Sequence, residues 1–344
     1  MNDNVLVIGG GQNSEHEVSL ASAAAVGSAL RSRGFEVTSV TIARDGTWIE
    51  EGIALGAGAA GSLAAAVALI GRADVVFPAV HGALGEDGAL ASLCALAHTP
   101  VVGSGAGAGA IGMDKWVTKL VAGAAGIRTA PGVLTRADDI DDLEFDEEVV
   151  VKPVSAGSSY GVTLVREAAL LRPALRTAAE YDQRILVERV MRGREIDVAV
   201  LRDADGTVWA PPPLEIHAEG MFDTAAKYDG SARFTVPAVL DEADRRALTD
   251  AALTMFEALG CAGVARMDFF LTDDGPVLNE VNTMPGMTAA SQVPRMFQAA
   301  GVAYPDLVAR LVAGAVVPVR DVTPNLAGPE HDARLRAGNS HYVG

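Results

Sequence analysis

Cysteine is nearly absent: two residues in 344, Cys94 and Cys261, each in an apolar, alanine-rich run. That leaves no thiolate spacing for a metal and no disulfide framework, and it predicts two buried thiols in a reducing compartment. Basic charge is also short, with Lys and Arg totalling 27 against 44 Asp and Glu, a formal charge of −17. Affinity for nucleic acid or an anionic membrane comes from neutralising phosphates, so this balance argues against both partners. Two stretches, 52–71 and 89–113, carry no Asp, Glu, Lys or Arg and are long enough for a membrane helix. The first is mostly Ala and Gly and the second is broken by Pro100 and repeated Gly, so neither is apolar enough to insert well. The N-terminus, MNDNVLVIGGG, lacks a basic region ahead of an apolar core and does not read as a signal peptide. Internal repeats are missing as well. The expectation is a cytoplasmic protein acting on small molecules.

What is present has the size of two or three domains. An apolar strand at 5–8 runs into Gly9-Gly10-Gly11 and a helix starting near Glu17; further strands are expected at 35–42, 74–80 and 100–102, with Ala-rich helices between them. Such alternation predicts an α/β unit with a parallel sheet, closing near residue 112. A second unit, 113–213, opens with a helix at 115–124 and holds strands at 148–152, 162–165, 185–189 and 196–201, an α+β pattern. A third, 214–318, ends in a helix at 304–315, and 319–344 is a polar tail without apolar periodicity.

Residues 266–290, RMDFFLTDDGPVLNEVNTMPGMTAA, are the densest in chemistry. An Asp-Gly turn at Asp274-Gly275 is expected to join two apolar strands as a hairpin. Asp268 closes the first strand, with Arg266 two residues earlier on the same face; Glu280 and Asn282 are two apart on the second and also share a face. Oxygen donors without His or Cys suit a hard cation that carries phosphate, Mg²⁺ or Mn²⁺ rather than zinc. The turn at Pro285-Gly286 then offers backbone N–H groups to an anion.

Upstream, VVVKPVSAGSSYGV (149–162) places Lys152 at the end of an apolar strand and follows it with Gly157, Ser158, Ser159 and Gly161. Successive N–H groups and hydroxyls there suit phosphate oxygens. A lone Gly/Ser loop reads most simply as a hairpin, but a matching cation site downstream turns the balance toward phosphate. No G-x-x-x-x-G-K-[ST] occurs. Gly107, Gly109 and Gly112 do satisfy G-x-G-x-x-G, which keeps a remote alternative open: a dinucleotide-binding dehydrogenase that would leave Asp268, Glu280 and Asn282 unexplained.

Eight motifs stand in order: GGGQNSEHEVSLAS (9–22), HGALGEDG (81–88), MDK (113–115), VKPVSAGSSYGV (151–162), ERVMRGRE (188–195), AKY (226–228), ARMDFF (265–270) and NEVNTMPGMTAAS (279–291). On them the chain resembles the D-alanine–D-alanine ligases, ATP-grasp enzymes of peptidoglycan synthesis, over roughly residues 4–318. The resemblance implies an ATP-grasp fold behind an N-terminal parallel-sheet domain. It also implies ATP-dependent joining of two D-alanines through an acyl phosphate, two Mg²⁺ (or Mn²⁺) held by Asp268, Glu280 and Asn282, and a homodimer. Lys115, Lys152 and, from a closing loop, Lys227 would hold phosphates beside Ser159 and Gly161. Glu188 would accept from the adenine amino group and Glu195 from ribose hydroxyls, with the backbones of Arg189 and Met191 bordering the base. Glu15, Ser158 and Tyr228 would form a hydrogen-bonded set in which Glu15 orients the first substrate's ammonium, with His81 nearby. Arg266 and the N–H of Gly286 would stabilise the attacked carbonyl oxygen, and Ser291 would bond the second substrate's carboxylate. Taken singly, Glu15 reads as a helix-capping acid (Glu17 being the other candidate), and Glu188 and Glu195 as surface carboxylates.

Three features depart from the family pattern. Thr224 and Ala225 replace an aromatic residue and a Glu in the closing loop, Gln292 replaces a Leu or Met beside the acceptor pocket, and the tail is long. Gln292 supports a second alternative, a related dipeptide ligase with a different amino-acid substrate in specialised metabolism. Tyr228 matches the amine-accepting ligases.

Overall fold

The structure, a computed structural model, describes residues 4–217 and 233–316, with 140–142 described by backbone alone. The strand Asn4–Gly10 is buried along nearly its whole length because Glu36–Ile42 and Val75–Pro78 run parallel on either side and the helix His16–Ser32 lies across it. The antiparallel strands Trp48–Glu50 and Ile53–Ala54 extend this sheet at one edge. The strand expected at 100–102 is reduced to isolated bridges from Val101, parallel to Val76 and antiparallel to Val316, and Gly103, at φ 98°, turns the chain away. The charge-free stretches form short helices, Gly58–Ile70, Ala89–Leu96 and Ala106–Met113; no helix among the described residues is long and apolar enough to cross a membrane.

Gly107, Gly109 and Gly112 lie inside the last of these helices, so they form no phosphate turn. A Cβ on Gly109 would lie 2.7 Å from the Glu86 carbonyl oxygen, and one on Gly112 would lie 2.9 Å from Thr283 Cγ2. These two glycines let the helix approach its neighbours closely.

The next sheet is fully antiparallel, in the order Gly132–Arg136, Arg184–Arg189, Val149–Pro153, Thr163–Val165. Helix Ala168–Ala179 covers it, burying Leu171 and Leu175 against Val151, Val165 and Ile185. A third sheet, also antiparallel, runs Arg233–Thr235, Leu214–His217, Arg194–Arg202, Val264–Thr272, Gly275–Asn282, with Val208–Trp209 paired beside Arg194–Arg202. The strand Arg194–Arg202, placed by sequence in the second unit, therefore pairs within the third sheet. Along Val264–Thr272, Ala265, Met267, Phe269 and Leu271 face a core closed by helix Glu242–Leu259, while Arg266 and Asp268 face the other way. Period-two alternation fixes that choice. The hairpin loop is Asp273-Asp274, one residue earlier than expected: Gly275 already pairs with Thr272, and its φ of 100° is the left-handed value the turn needs. The closing helix spans Tyr304–Ala313, stopping at Gly314. Cys94 and Cys261 are buried, and burial pushes both thiols up to about 12.

Candidate active site

The two antiparallel sheets enclose a cavity of about 490 Å³, within the usual range for small-molecule sites. Its wall brings together Lys115, Lys152, Ser159, Glu188, Arg189, Met191, Glu195, Arg266, Asp268 and Glu280, residues drawn from five separate motifs, with Gln292 beside them.

Lys115 opens the helix Lys115–Ala124, whose N-cap is Asp114: its Oδ1 accepts from Val117 N at 2.9 Å. Asp114 also receives two hydrogen bonds from Arg184, at 2.6 and 3.2 Å, which ties this helix to the four-stranded sheet. So placed, Lys115 Nζ donates to the Ala156 carbonyl at 2.7 Å and lies 3.8 Å from Glu280 Oε2, between the Gly/Ser loop and the hairpin. In that loop Ser158, Ser159 and Gly161 all adopt positive φ (48°, 60° and 72°), a tight concave turn. Gly161 lies outside the cavity wall, where Tyr181 and Pro153 pack on it.

Glu188 is not a surface carboxylate. It is 5% exposed, its Oε2 lies 2.5 Å from Lys152 Nζ, and its Oε1 accepts from Lys119. Burial alone would raise its carboxyl, but Lys152 and Lys119 outweigh that and hold it below the usual carboxylate range. Both oxygens expected to read adenine are thus occupied by ammonium groups. Arg189 sends its side chain outward to Glu147 and its N–H to the Pro131 carbonyl (2.9 Å), so what it offers the cavity is backbone.

On the hairpin, cross-strand register sets the geometry. Asp268 stands opposite Glu280 and Arg266 opposite Asn282, and on the other side Asp197 stands opposite Asp268. Arg266 grips both oxygens of Asp268 (Nε–Oδ1 2.6 Å, Nη2–Oδ2 2.8 Å) and donates from Nη1 to Gln292 Oε1 at 2.7 Å. Burial opposes its charge, but Asp268, Asp197 and Glu280 more than compensate and raise its pKa. Asp197 belongs to none of the sequence motifs. Its Oδ2 is buried without a hydrogen-bond partner, 3.4 Å from Arg266 Nε, and burial together with neighbouring Asp268 pushes its carboxyl well up.

The donor set fits a hard cation. Asp268 and Glu280 present carboxylate oxygens on one sheet face with the Asn282 amide beside them, and Arg266 already supplies a positive charge to Asp268. Asn282 donates from Nδ2 to Asp268 Oδ2 at 3.0 Å.

Glu15 sits at the N-cap of helix His16–Ser32 but makes no side-chain capping bond. Its carboxylate instead accepts from the Ser158 hydroxyl, which joins the first sheet unit to the Gly/Ser loop. Glu17 occupies the first helical turn and pairs with Arg44 at 3.1 Å. His81 does not reach the cavity. It is 3% exposed; Nδ1 lies 2.9 Å from the Met284 carbonyl and Nε2 2.8 Å from Ser22 Oγ, so Nδ1–H donates and Nε2 accepts. Burial lowers its pKa, but Glu86, the Met284 carbonyl and Glu15 reverse the shift and raise it. Its bond to the Met284 carbonyl ties the chain at 81 to the loop that carries Gly286. Ser291 caps helix Gln292–Ala299 in position, yet its Oγ is turned to Thr288 (N at 3.1 Å, Oγ1 at 2.8 Å) and packs against Gly286. That helix end therefore lacks a side-chain cap. Lys227, Tyr228, Thr224, Ala225 and the 319–344 tail lie outside the described residues.

Lys119 and Asp197 contact residues of the cavity wall, Glu188 and Arg266, and Asp114 caps the helix that carries Lys115, although sequence reasoning assigns none of them a part. Lys119 follows Lys115 by four residues, hence on the same helix face, and Asp197 follows Glu195 by two. Those spacings are the available signals.

Two family models match this chain: the D-ala D-ala ligase N-terminus over residues 4–104 and the D-ala D-ala ligase C-terminus over 140–313. It is 39% identical to a D-alanine–D-alanine ligase of Corynebacterium urealyticum, over 90% of this chain and 97% of the relative. It is 38% identical to that of Mycolicibacterium gilvum, over 91% and 96%. Among solved structures, the VanG D-Ala:D-Ser ligase from Enterococcus faecalis aligns with a TM-score of 0.78 at 31% identity, covering 93% of this chain and 100% of that one. The D-alanine–D-alanine ligase from Coxiella burnetii aligns with a TM-score of 0.75 at 29% identity, covering 97% and 96%.

Proposed function

The chain belongs to the D-alanine–D-alanine ligase family, with its ATP-grasp fold, and from that premise we propose that it joins two molecules of D-alanine, with ATP converted to ADP and phosphate, for cell-wall synthesis. The observation that carries the reading is the convergence of Lys115, Lys152, Glu188 and Glu195 with Arg266, Asp268 and Glu280 around one cavity. A carboxylate is a poor electrophile at neutral pH. An oxygen of the first D-alanine attacks the γ-phosphorus, the bond to the β–γ bridging oxygen breaks, and ADP leaves an acyl phosphate. The amine of the second D-alanine attacks the carbonyl carbon, and phosphate departs with the C–O bond.

Lys115 and Lys152 bind the phosphate oxygens as point charges, and the Gly/Ser loop adds N–H groups. Asp268, Glu280 and Asn282 would hold Mg²⁺ or Mn²⁺, which when bound neutralises charge on the transferring phosphoryl group. Glu15, tied to Ser158, receives the first substrate's ammonium; Arg266 and the Gly286 N–H stabilise the carbonyl oxygen as it becomes anionic; the N-terminus of helix Gln292–Ala299 receives the second carboxylate. By the family resemblance Lys227 is proposed to serve phosphate and Tyr228 to join Glu15 and Ser158, while water must be kept from the acyl phosphate. The one feature favouring another acceptor, Gln292, spends its carbonyl oxygen on Arg266, which supports D-alanine. The proposal includes a cytoplasmic homodimer divided into a first-substrate unit (1–112), a phosphate-loop unit (113–213) and a metal and acceptor unit (214–318), with the strand Arg194–Arg202 shared into the last.

The test is a panel of D- and L-amino acids, including D-serine, with ATP and Mg²⁺, scored by ADP formation and product mass. D-Alanyl-D-alanine with stoichiometric ADP is expected. Absence of ADP with every pair removes the ligase reading, and a mixed dipeptide as main product replaces the acceptor.

A further inference from the structure

Three charged groups meet behind the cavity with little access to water: the side chains of Lys119, Glu188 and Lys152 are 10%, 6% and 7% exposed. Buried charge is costly unless it is paired, so two ammonium groups on one carboxylate demand a reason. The two lysines are not equivalent. Lys152 and Glu188 form part of the cavity wall; Lys119 does not, and approaches Glu188 from the helix behind it. Lys119 is fixed at two points, donating to the Ala130 carbonyl and to Glu188 Oε1. Lys152 touches Glu188 Oε2 at 2.5 Å and Asn279 Oδ1 at 3.2 Å from the end of a flexible stem. Glu188 stands opposite Gly132, which has no Cβ to crowd it: one there would lie 2.9 Å from Glu188 Cγ.

We propose that Lys119 is a positioning residue for base recognition: it keeps Oε1 of Glu188 permanently paired, so that Oε2 can pass from the Lys152 ammonium to the amino group of adenine when Lys152 turns to phosphate. The inference rests on the reading of this cavity as the ATP site. The charge balance follows from the geometry. With the cavity open, the trio carries a net positive charge that suits an incoming polyphosphate. Once Lys152 is drawn to a phosphate, Lys119 and Glu188 remain as a neutral buried pair, and Oε2 is left to a neutral N–H donor. Without Lys119, drawing Lys152 away would strand a buried carboxylate, and nucleotide binding would have to supply that cost. A nucleobase with a carbonyl oxygen in place of the amino group would set acceptor against acceptor at Oε2, which ties the arrangement to ATP over GTP.

The test is equilibrium binding of ATP and GTP to the full-length wild type, Lys119→Met, Glu188→Gln and the double variant, alongside KM for ATP and kcat, with thermal melting to confirm that each folds. Loss of a charge-assisted buried hydrogen bond gives an expected weakening of ATP binding in Lys119→Met of roughly 10- to 100-fold. KM should rise more than kcat falls, the preference for ATP over GTP should narrow, and Lys119→Arg should recover most of the affinity. On the Glu188→Gln background, removing Lys119 should cost little more, because no buried carboxylate remains to be held. Lys119→Gln, which keeps donors and removes charge, gives the same reading should the methionine variant not fold. Unchanged ATP affinity in a folded Lys119 variant, or an equal loss with and without Glu188, overturns the inference while leaving the ATP site standing. Failure of the wild type to bind ATP overturns both.

Discussion

Turnover of Asp268→Asn and of Glu280→Gln is expected to fall by about two to three orders of magnitude each, since a bound cation contributes several kcal/mol of charge stabilisation and each ~1.4 kcal/mol is a factor of ten. The two residues face one another across the hairpin, with Asn282 two residues after Glu280 on the same face. Removing either carboxylate lowers the charge that would hold the metal without changing side-chain volume. Asp268 carries a second duty, as the bidentate partner of Arg266, so its variant should also lose thermal stability. Binding of Mn²⁺ in the presence of ADP, followed by the paramagnetic signal of the free ion, separates the cause from general damage: affinity should drop in both variants. Near-normal turnover in both would remove the metal assignment.

Arg266→Met is the second large effect, an expected loss of kcat of about 10²–10³-fold, the size typical of deleting one oxyanion donor. Arg266 is partly buried, with its side chain 12% exposed, and its donors are fanned across Asp268 and Gln292. Lysine should not rescue it, because a single ammonium cannot serve that fork of partners. Stability should fall too, by about 3–5 kcal/mol, as Asp197 and Asp268 lose the cation between them. Measuring kcat and KM separately locates the effect: KM for ATP should move far less than kcat, since Arg266 acts on the carbonyl oxygen rather than on nucleotide. Wild-type kcat in a folded Arg266→Met protein would exclude the oxyanion role.

How much of the fold and site is legible in the sequence differs by the physical source of each feature. Along 264–272 the alternation of apolar and polar residues states which side chains face the cavity, and Arg266 and Asp268 stand where it puts them. The helix Lys115–Ala124 is readable from its Asp cap and apolar spacing. Sequence places the hairpin loop one residue late because Asp273-Asp274-Gly275 permits two turns, and only strand register chooses between them. Register also hides Asp197: its meeting with Asp268 is a cross-strand pairing between strands some 70 residues apart in sequence, 197 and 268. The lysine pair on Glu188 has the same origin, since three elements bring Lys119, Lys152 and Glu188 together and no local pattern announces it. Sequence puts Gln292 beside the acceptor pocket; its bond to Arg266 gives it a part in orienting the guanidinium, which sequence alone does not contain. Glu15 shows the reverse, a motif residue whose reach to Ser158 is expected from the family resemblance and not from its helix-capping position.

The most direct measurement concerns the acyl phosphate. With D-alanine labelled by ¹⁸O in its carboxylate, an oxygen of the first substrate becomes the bridge to phosphorus and leaves with it when the amine attacks. Phosphate released during dipeptide synthesis is therefore expected to carry one labelled oxygen transferred from the carboxylate. Dipeptide formed with ADP but with unlabelled phosphate would contradict activation of the carboxylate by phosphoryl transfer, and with it the proposed roles of the lysines, the hairpin carboxylates and Arg266.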